Sequence, residues 1–268
     1  MVITKRKKME IPLYQVDAFT NTLFGGNPAA VCVLESWLDD DVMQKIGAEN
    51  NLSETAFIVK RGDQYDLRWF TPTTEIDLCG HATLASAFVV FNYLDTSLHR
   101  VEFITKSGLL TVDRVGNLLE MDFPSQEATK LSKNESLGEA LGLEPVEFYK
   151  STYPMVVYKS ESQVRELKLD FVKLKKVEDC LGVIVTAPGD SVDFVSRFFA
   201  PNLGIDEDPV TGSAHCTLVP YWSERLEKSI LHAWQVSKRG GEVFCENRGD
   251  RVNISGNAVL YLKGVINL

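Results

Sequence analysis

RFFAPNLGIDEDPVTGSAHCT, residues 197–217, restates in outline RWFTPTTEIDLCGHATLAS, residues 68–86. Both run Arg-aromatic-Phe-x-Pro, then Ile-Asp, then a Gly that opens an apolar helical run, with an Arg-to-Gly spacing three residues longer in the second copy. The elements around the two stretches also follow one order, so duplication is a better reading than chance. The run after the first Gly, GHATLASAFVVFNYL (80–94), is apolar nearly all the way round, and GSAHCTLVPYWSERL (212–226) is so for its first turns. Helices of that kind are buried. Pro220 lies inside the second helix, where a proline removes a hydrogen bond and crowds the preceding turn, so a kink or break is expected there.

Outward from these helices the chain reads mostly as short strands. IPLYQVDAF, AAVCVL, TAFIVK, YDLRWF, RVEFITK and LLEMDF in the first half, and GVIVTA, DFVSRFF, HAWQVS, GEVFCEN and AVLYLKG in the second, are β-branched or aromatic runs bounded by turn residues. Two further helices are expected. DDDVMQKIGAEN (39–50) opens on aspartates suited to a helix N-terminus and carries Val42, Met43 and Ile46 as an apolar stripe. NESLGEALGL (134–143) has an Asn cap and Gly142 near its end. The stretch from Asp206 to Gly212 reads as a loop entering its helix. The expected class is α+β, with two pseudo-symmetric domains, each a barrel or roll of strands around one buried helix. Residues 9–124 and 125–268 are the natural division, with the last strand able to return to the first domain.

Composition narrows the partners. The chain has 268 residues, enough for two domains, with 44% hydrophobic and 24% charged residues and a formal net charge of −9. That charge opposes nucleic-acid binding, and the one basic run is KRKK at residues 5–8. No apolar run reaches the length of a membrane span. Residues 1–8 read as a disordered leader without a signal-peptide h-region, with Met9 the first residue of consequence. Five scattered cysteines without a CxxC argue against a disulfide framework and a zinc site, and imply free thiols and a cytosolic protein. The four histidines lack ligand spacing, so no metal is expected.

A helix N-terminus presents unpaired N–H groups and the positive end of its dipole. Gly80 and Gly212 would let a ligand approach that backbone closely. If a pseudo-twofold axis relates the halves, both helices point their N-termini into one cleft, and a small carboxylate is the expected ligand. Taken singly, each Gly could simply permit tight helix packing.

The segments FGGNPAAVCV, NNLSETAFI, LRWFTPTTEIDLCGHATLASA, RFFAPNLGIDEDPVTGSAH and SKRGGEV together resemble the phenazine-biosynthesis PhzF-like family, over about residues 10–245 and in the expected order. The resemblance implies a diaminopimelate epimerase-like fold with the active site between two domains. It further implies a cofactor-independent isomerase, often a homodimer, acting on a small anionic substrate. Glu54 then falls on the family's catalytic glutamate, with His81 and Asp208 as its other polar catalytic groups. Gly80, Gly212 and Ser213 fall on the positions that bind the substrate carboxylate. From the residues alone, Glu54 follows a polar turn into an apolar strand, where a carboxyl can be partly desolvated; a surface glutamate at a strand start is the simpler reading. Glu49 reads as the end of an amphipathic helix. His81 could equally be a structural histidine and Asp208 a loop cap.

Other chemistries find less support. Ser213 lies in TGSAH, which is not a nucleophile elbow, and neither a dinucleotide fingerprint nor a P-loop is present. A two-base epimerase needs a thiol on each face of its substrate. Cys79 precedes Gly80, but Thr211 stands at the matching position before Gly212, and its hydroxyl is no base near neutral pH. A non-catalytic small-molecule sensor on the same fold is the remaining rival, and the set Glu54, His81, Asp208 and Ser213 argues against it.

Overall fold

The computed structural model describes residues 9–268; the leader expected at residues 1–8 lies outside the described residues. The first half comprises β1 (Glu10–Ala18), β2 (Asn27–Leu34), α1 (Asp40–Asn50), β3 (Glu54–Arg61), β4 (Gln64–Phe70), β5 (Glu75–Ile76), α2 (Gly80–Val89), β6 (Arg100–Thr105), β7 (Gly108–Val115) and β8 (Leu118–Pro124). Then follow β9 (Thr129–Leu131), α3 (Glu135–Leu141), β10 (Glu147–Lys150), β11 (Pro154–Val157), α4 (Glu161–Glu166), α5 (Phe171–Leu174), β12 (Val183–Pro188), β13 (Phe194–Ala200) and β14 (Ile205–Asp208). The chain ends with α6 (Gly212–Leu226), β15 (Ile230–Gln235), β16 (Gly241–Asn247), β17 (Arg251–Gly256) and β18 (Ala258–Asn267).

The duplication read from the sequence is visible in the strand pairing. In the first half β1–β2 is antiparallel, β2–β3 parallel, β3–β4 antiparallel and β4–β6 parallel, and β6, β7 and β8 form a meander. The second half repeats that order as β10–β11, β11–β12, β12–β13, β13–β15 and the meander β15, β16, β17. Parallel neighbours need crossover connections. Here α1, α2, α6 and the pair α4 and α5 supply them. After β8 the chain crosses as β9 to pair with β10, and after β17 it returns as β18 to pair with β1. The join is completed where β8 pairs with β17.

The repeated arginines make matching contacts. Arg68 binds Glu75 through two bonds of 2.7 and 2.8 Å, and Arg197 binds Glu207 through two of 2.7 and 2.9 Å. Each guanidinium also lies over the Phe two residues on, Phe70 or Phe199. Such forked pairs fix angle as well as distance, and they brace the hairpins leading to Gly80 and Gly212. Arg and Ile are equally spaced in the two copies, so the three extra residues of the second lie between Ile205 and Gly212, where β14 runs on to Asp208.

Both central helices are buried as expected. Ala82, Leu84, Ala85, Ala87 and Val89 on α2 are inaccessible to solvent, and the small side chains let the strands close around the helix. Two of its polar residues are satisfied internally: Thr83 donates to the Cys79 carbonyl at 2.6 Å and Ser86 to that of Ala82 at 2.7 Å. Of the kink or break expected at Pro220, the break does not occur, and α6 runs unbroken from Gly212 to Leu226. Pro220 cannot donate to the Cys216 carbonyl four residues back; the Gln126 N–H takes that place at 3.0 Å. A buried carbonyl that keeps a partner removes most of the reason to break the helix.

Elsewhere α1 and α3 lie where expected, with Asn134 capping the Leu137 N–H at 3.0 Å and Gly142 ending α3 at φ 75°. Asp206, Glu207 and Asp208, read as loop, belong to strand β14, because β13 offers its edge to them. The short α4 and α5 were not expected: six and four residues carry too little periodicity to read. All five cysteines are buried and unpaired.

Candidate active site

The starts of α2 and α6 meet. A Cβ built on Gly80 would stand 3.6 Å from Gly212 Cα, and one on Gly212 3.7 Å from Gly80 Cα. Neither helix start is capped by a side chain. A cavity of about 430 Å³ opens onto this contact, and Glu54, Gly80, His81, Asp208, Gly212 and Ser213 all line it. Ile76, Phe123, Tyr153, Phe198 and Leu203 give the rest of its lining a largely apolar surface. No Lys or Arg is among its lining residues. An anion here would therefore depend on helix N–H groups and the two dipoles, each worth about 0.3–1 kcal/mol, or up to about 2 when partly buried.

Glu54 begins β3 and is only 7% exposed, so its carboxyl is buried although Thr55 to Val59 make the strand apolar. Its Oε2 stands 3.1 Å from His81 Nε2. The approach is too oblique for a hydrogen bond, and both atoms are left without one. Catalytic contacts are commonly loose before substrate binds. On the other side of the imidazole, Nδ1 faces Cys79 Sγ at 3.5 Å and Asn27 Nδ2 at 3.1 Å. Asp208, at the end of β14, accepts from Thr211 Oγ1 at 2.6 Å and from Asn27 Nδ2 at 2.8 Å.

Burial dominates the charges. It pushes the Asp208 carboxyl up to about 6; the positive field of His81 and the bonds from Thr211 and Asn27 pull the other way, and Glu54 adds to the rise. It likewise pushes the Cys79 thiol up to about 11, helped by Glu54. For His81, burial opposes charge, yet the Cys79 sulfur and the Glu54 carboxylate outweigh it and hold the imidazole well above its ordinary value. His215, facing away from this site in α6, is pushed down to about 4 by burial, and its Nδ1 donates to the Thr211 carbonyl at 2.8 Å.

Glu54, Cys79 and His81 are also the one cluster among the described residues whose ligand-type atoms lie within 4.8 Å of one another. The sequence held no expectation of a metal, because the three residues are not spaced as a ligand motif. Their arrangement suits a relay better than a chelate: the thiol and the carboxylate approach opposite nitrogens of one imidazole, so the ring lies between them.

Thus all six residues singled out in the sequence come to one cavity, while Glu49 is exposed in the last turn of α1. Ser213 is solvent-exposed at the cavity mouth. Three contributors were missed. Asn27 is fully buried and bonds across from β2 to Asp208 and to the Val210 carbonyl, at 2.8 and 3.0 Å. Gln235 holds Thr211 through its N–H at 2.9 Å and donates to the Asp208 carbonyl. Arg239 grips Asp17 and the carbonyls of Gly25 and Gly26. The only sequence signal was that Asn27 and Arg239 sit in Gly-rich turns, FGGNP and SKRGG. A larger groove of about 1110 Å³ runs beside the end of α6 and holds none of the six; it is open, and its cations Arg225 and Lys228 already pair with Glu147 and Asp193.

Comparison with known proteins gives a consistent result. The family model described as phenazine biosynthesis-like protein matches residues 16–264. An uncharacterized isomerase of Pseudomonas aeruginosa is 51% identical over 97% of this chain and all of its own. A crystal structure of a PhzF-family phenazine biosynthesis protein from Enterococcus faecalis superposes with a TM-score of 0.95 at 51% identity, covering 97% of this chain and 100% of that one. A hydroxyproline epimerase from Agrobacterium vitis shares the fold alone, with a TM-score of 0.64 at 9% identity over 97% and 93% of the two chains.

Proposed function

We propose that this chain, which belongs to the phenazine biosynthesis-like PhzC-PhzF family of isomerases, moves one proton on a small carboxylate-bearing metabolite through the carboxyl of Glu54. The substrate carboxylate sits between the starts of α2 and α6, held by their N–H groups and by Ser213. The atom that loses the proton then lies toward Glu54, which takes it from one carbon and returns it to another on the same face. His81 and Asp208 orient the substrate by hydrogen bonds, and the reaction needs no further cofactor. The observation that carries this reading is the placement of a buried carboxyl on the wall of a cavity into which two facing helix N-termini open.

The two-base alternative loses its second base. Thr211, opposite Cys79 in the repeat, donates its hydroxyl to Asp208 at 2.6 Å, and the Cys79 thiol is pushed away from ionisation. Solvent deuterium incorporation, followed by NMR across a panel of small cyclic and unsaturated monocarboxylates, tests the proposal. Wild type should exchange a carbon-bound proton of at least one of them. Glu54→Gln should lose about 10²–10⁴-fold, and Glu49→Gln should match wild type. Equal exchange by wild type and Glu54→Gln would remove Glu54 from this role.

A further inference from the structure

Asn27 stands at the first position of β2 with no solvent exposure, and its amide nitrogen lies within reach of three groups. These are Asp208 Oδ1 at 2.8 Å, the Val210 carbonyl at 3.0 Å and His81 Nδ1 at 3.1 Å. An amide has two hydrogens. Asp208 and the Val210 carbonyl can only accept them so long as Asp208 is ionised, and the carbonyl can only accept at any pH. Turning the amide over would bring its oxygen against both. The amide is held in place from behind as well. Gly26, at φ 58°, leaves no room for a Cβ, which would stand 2.0 Å from the Ala18 carbonyl. Arg239 binds the Gly26 carbonyl at 2.8 Å, and Gly26 N–H reaches the Gly240 carbonyl at 2.7 Å.

We infer that Asn27 is a positioning residue that decides which proton His81 can release: the one on Nδ1, so that Nε2 keeps its hydrogen toward Glu54 in both charge states of the ring. With both amide hydrogens committed, a proton on Nδ1 faces the Asn27 nitrogen, which cannot accept it, and the Cys79 sulfur, only a weak acceptor at 3.5 Å. A proton on Nε2 points toward the Glu54 carboxylate, 3.1 Å away. The groups facing the ring from its surroundings agree with this asymmetry: Glu54 from β3 on the Nε2 side, and Cys79 from the turn before α2 on the Nδ1 side, with Asp208 from β14 beyond the amide. Deprotonation therefore empties Nδ1. The Nε2 proton stays on the side of the Glu54 carboxylate in both charge states of the ring.

This inference deepens the proposed role of Glu54, but its test needs no substrate, so the two can fail separately. ¹⁵N NMR of the ring nitrogens distinguishes both neutral tautomers and the imidazolium, and is read on the intact wild-type protein across its titration. Neutral His81 should carry its proton on Nε2 with a preference of at least about tenfold, the scale set by one buried unsatisfied donor. Asn27→Asp, which replaces the donor amide by an acceptor, should populate Nδ1–H and move the ring's titration to higher pH. Asn27→Ser, which removes the amide with less added charge, should erode the preference, with melting temperatures confirming that each variant is folded. Two results would overturn the inference: a neutral wild-type ring protonated on Nδ1, or ring signals in a folded Asn27→Asp unchanged from wild type.

Discussion

Cys79 and Asp208 show how the same burial has opposite consequences for two residues of one cavity. The thiol, pushed up to about 11, stays neutral at physiological pH and behaves as a small packing group beside His81. Cys79→Ala should leave turnover within a few fold, measured by the same deuterium exchange; a loss as large as that of Glu54→Gln would restore the thiol as a base. Asp208 is pushed up to about 6. Its folded value lies above that of an unfolded aspartate, so the contribution to stability is full below about pH 4 and is lost as pH rises through 6. Asp208→Asn removes that ionisation. Its stability relative to wild type should rise by roughly 1–2 kcal/mol between pH 4 and 8, after allowing for partial solvent screening. Denaturant melts at the two pH values measure the difference, and a constant gap would show that Asp208 ionises without strain.

At the scale of elements, two helix starts form the proposed anion site, and the hairpins before them set its geometry. Gly80 and Gly212 have room for a methyl group as far as the protein is concerned, since each added Cβ would meet its neighbour at ordinary van der Waals distance. That methyl would occupy the space between the helix ends. Gly212→Ala is therefore expected to keep the wild-type melting temperature within about 2 °C, a shift corresponding to less than about 1 kcal/mol. It should weaken binding of sulfate or acetate at least tenfold, by isothermal calorimetry. Undiminished anion binding would place the carboxylate elsewhere. The Pro220 result belongs to the same scale: a helix rule that holds for an isolated segment yields when a neighbouring N–H, here from Gln126, takes the orphaned carbonyl.

For the whole molecule, the exchange of strands makes each half incomplete. A fragment ending at residue 124 would lack β18, the partner of β1, and β17, the partner of β8. Two long strand edges would then be open, a strong template for aggregation. Such a fragment should be insoluble or unfolded by circular dichroism alone, and should be rescued by co-expression with residues 125–268. A stable, soluble fragment would mean that the halves are autonomous. The same joining explains why the cavity draws on both halves, with Glu54 and His81 from one and Asp208 and Ser213 from the other.

The amino-acid sequence by itself determined the duplication, the two buried helices and the α+β class, because these rest on local period and on repeated residue order. It also singled out six residues that line the cavity, but only through their resemblance to a family; alone, Glu54 read more simply as a surface glutamate. What the tertiary structure decided was everything that depends on partners remote in sequence. Asn27 meets Asp208 and Val210 across more than 180 residues, with separations of 181 and 183. The Arg239 contacts and the Gln126 support for Pro220 are of the same kind. A hydrogen bond leaves no periodic mark on the chain, so residues chosen for a distant partner become legible only once folding has brought that partner within 3 Å.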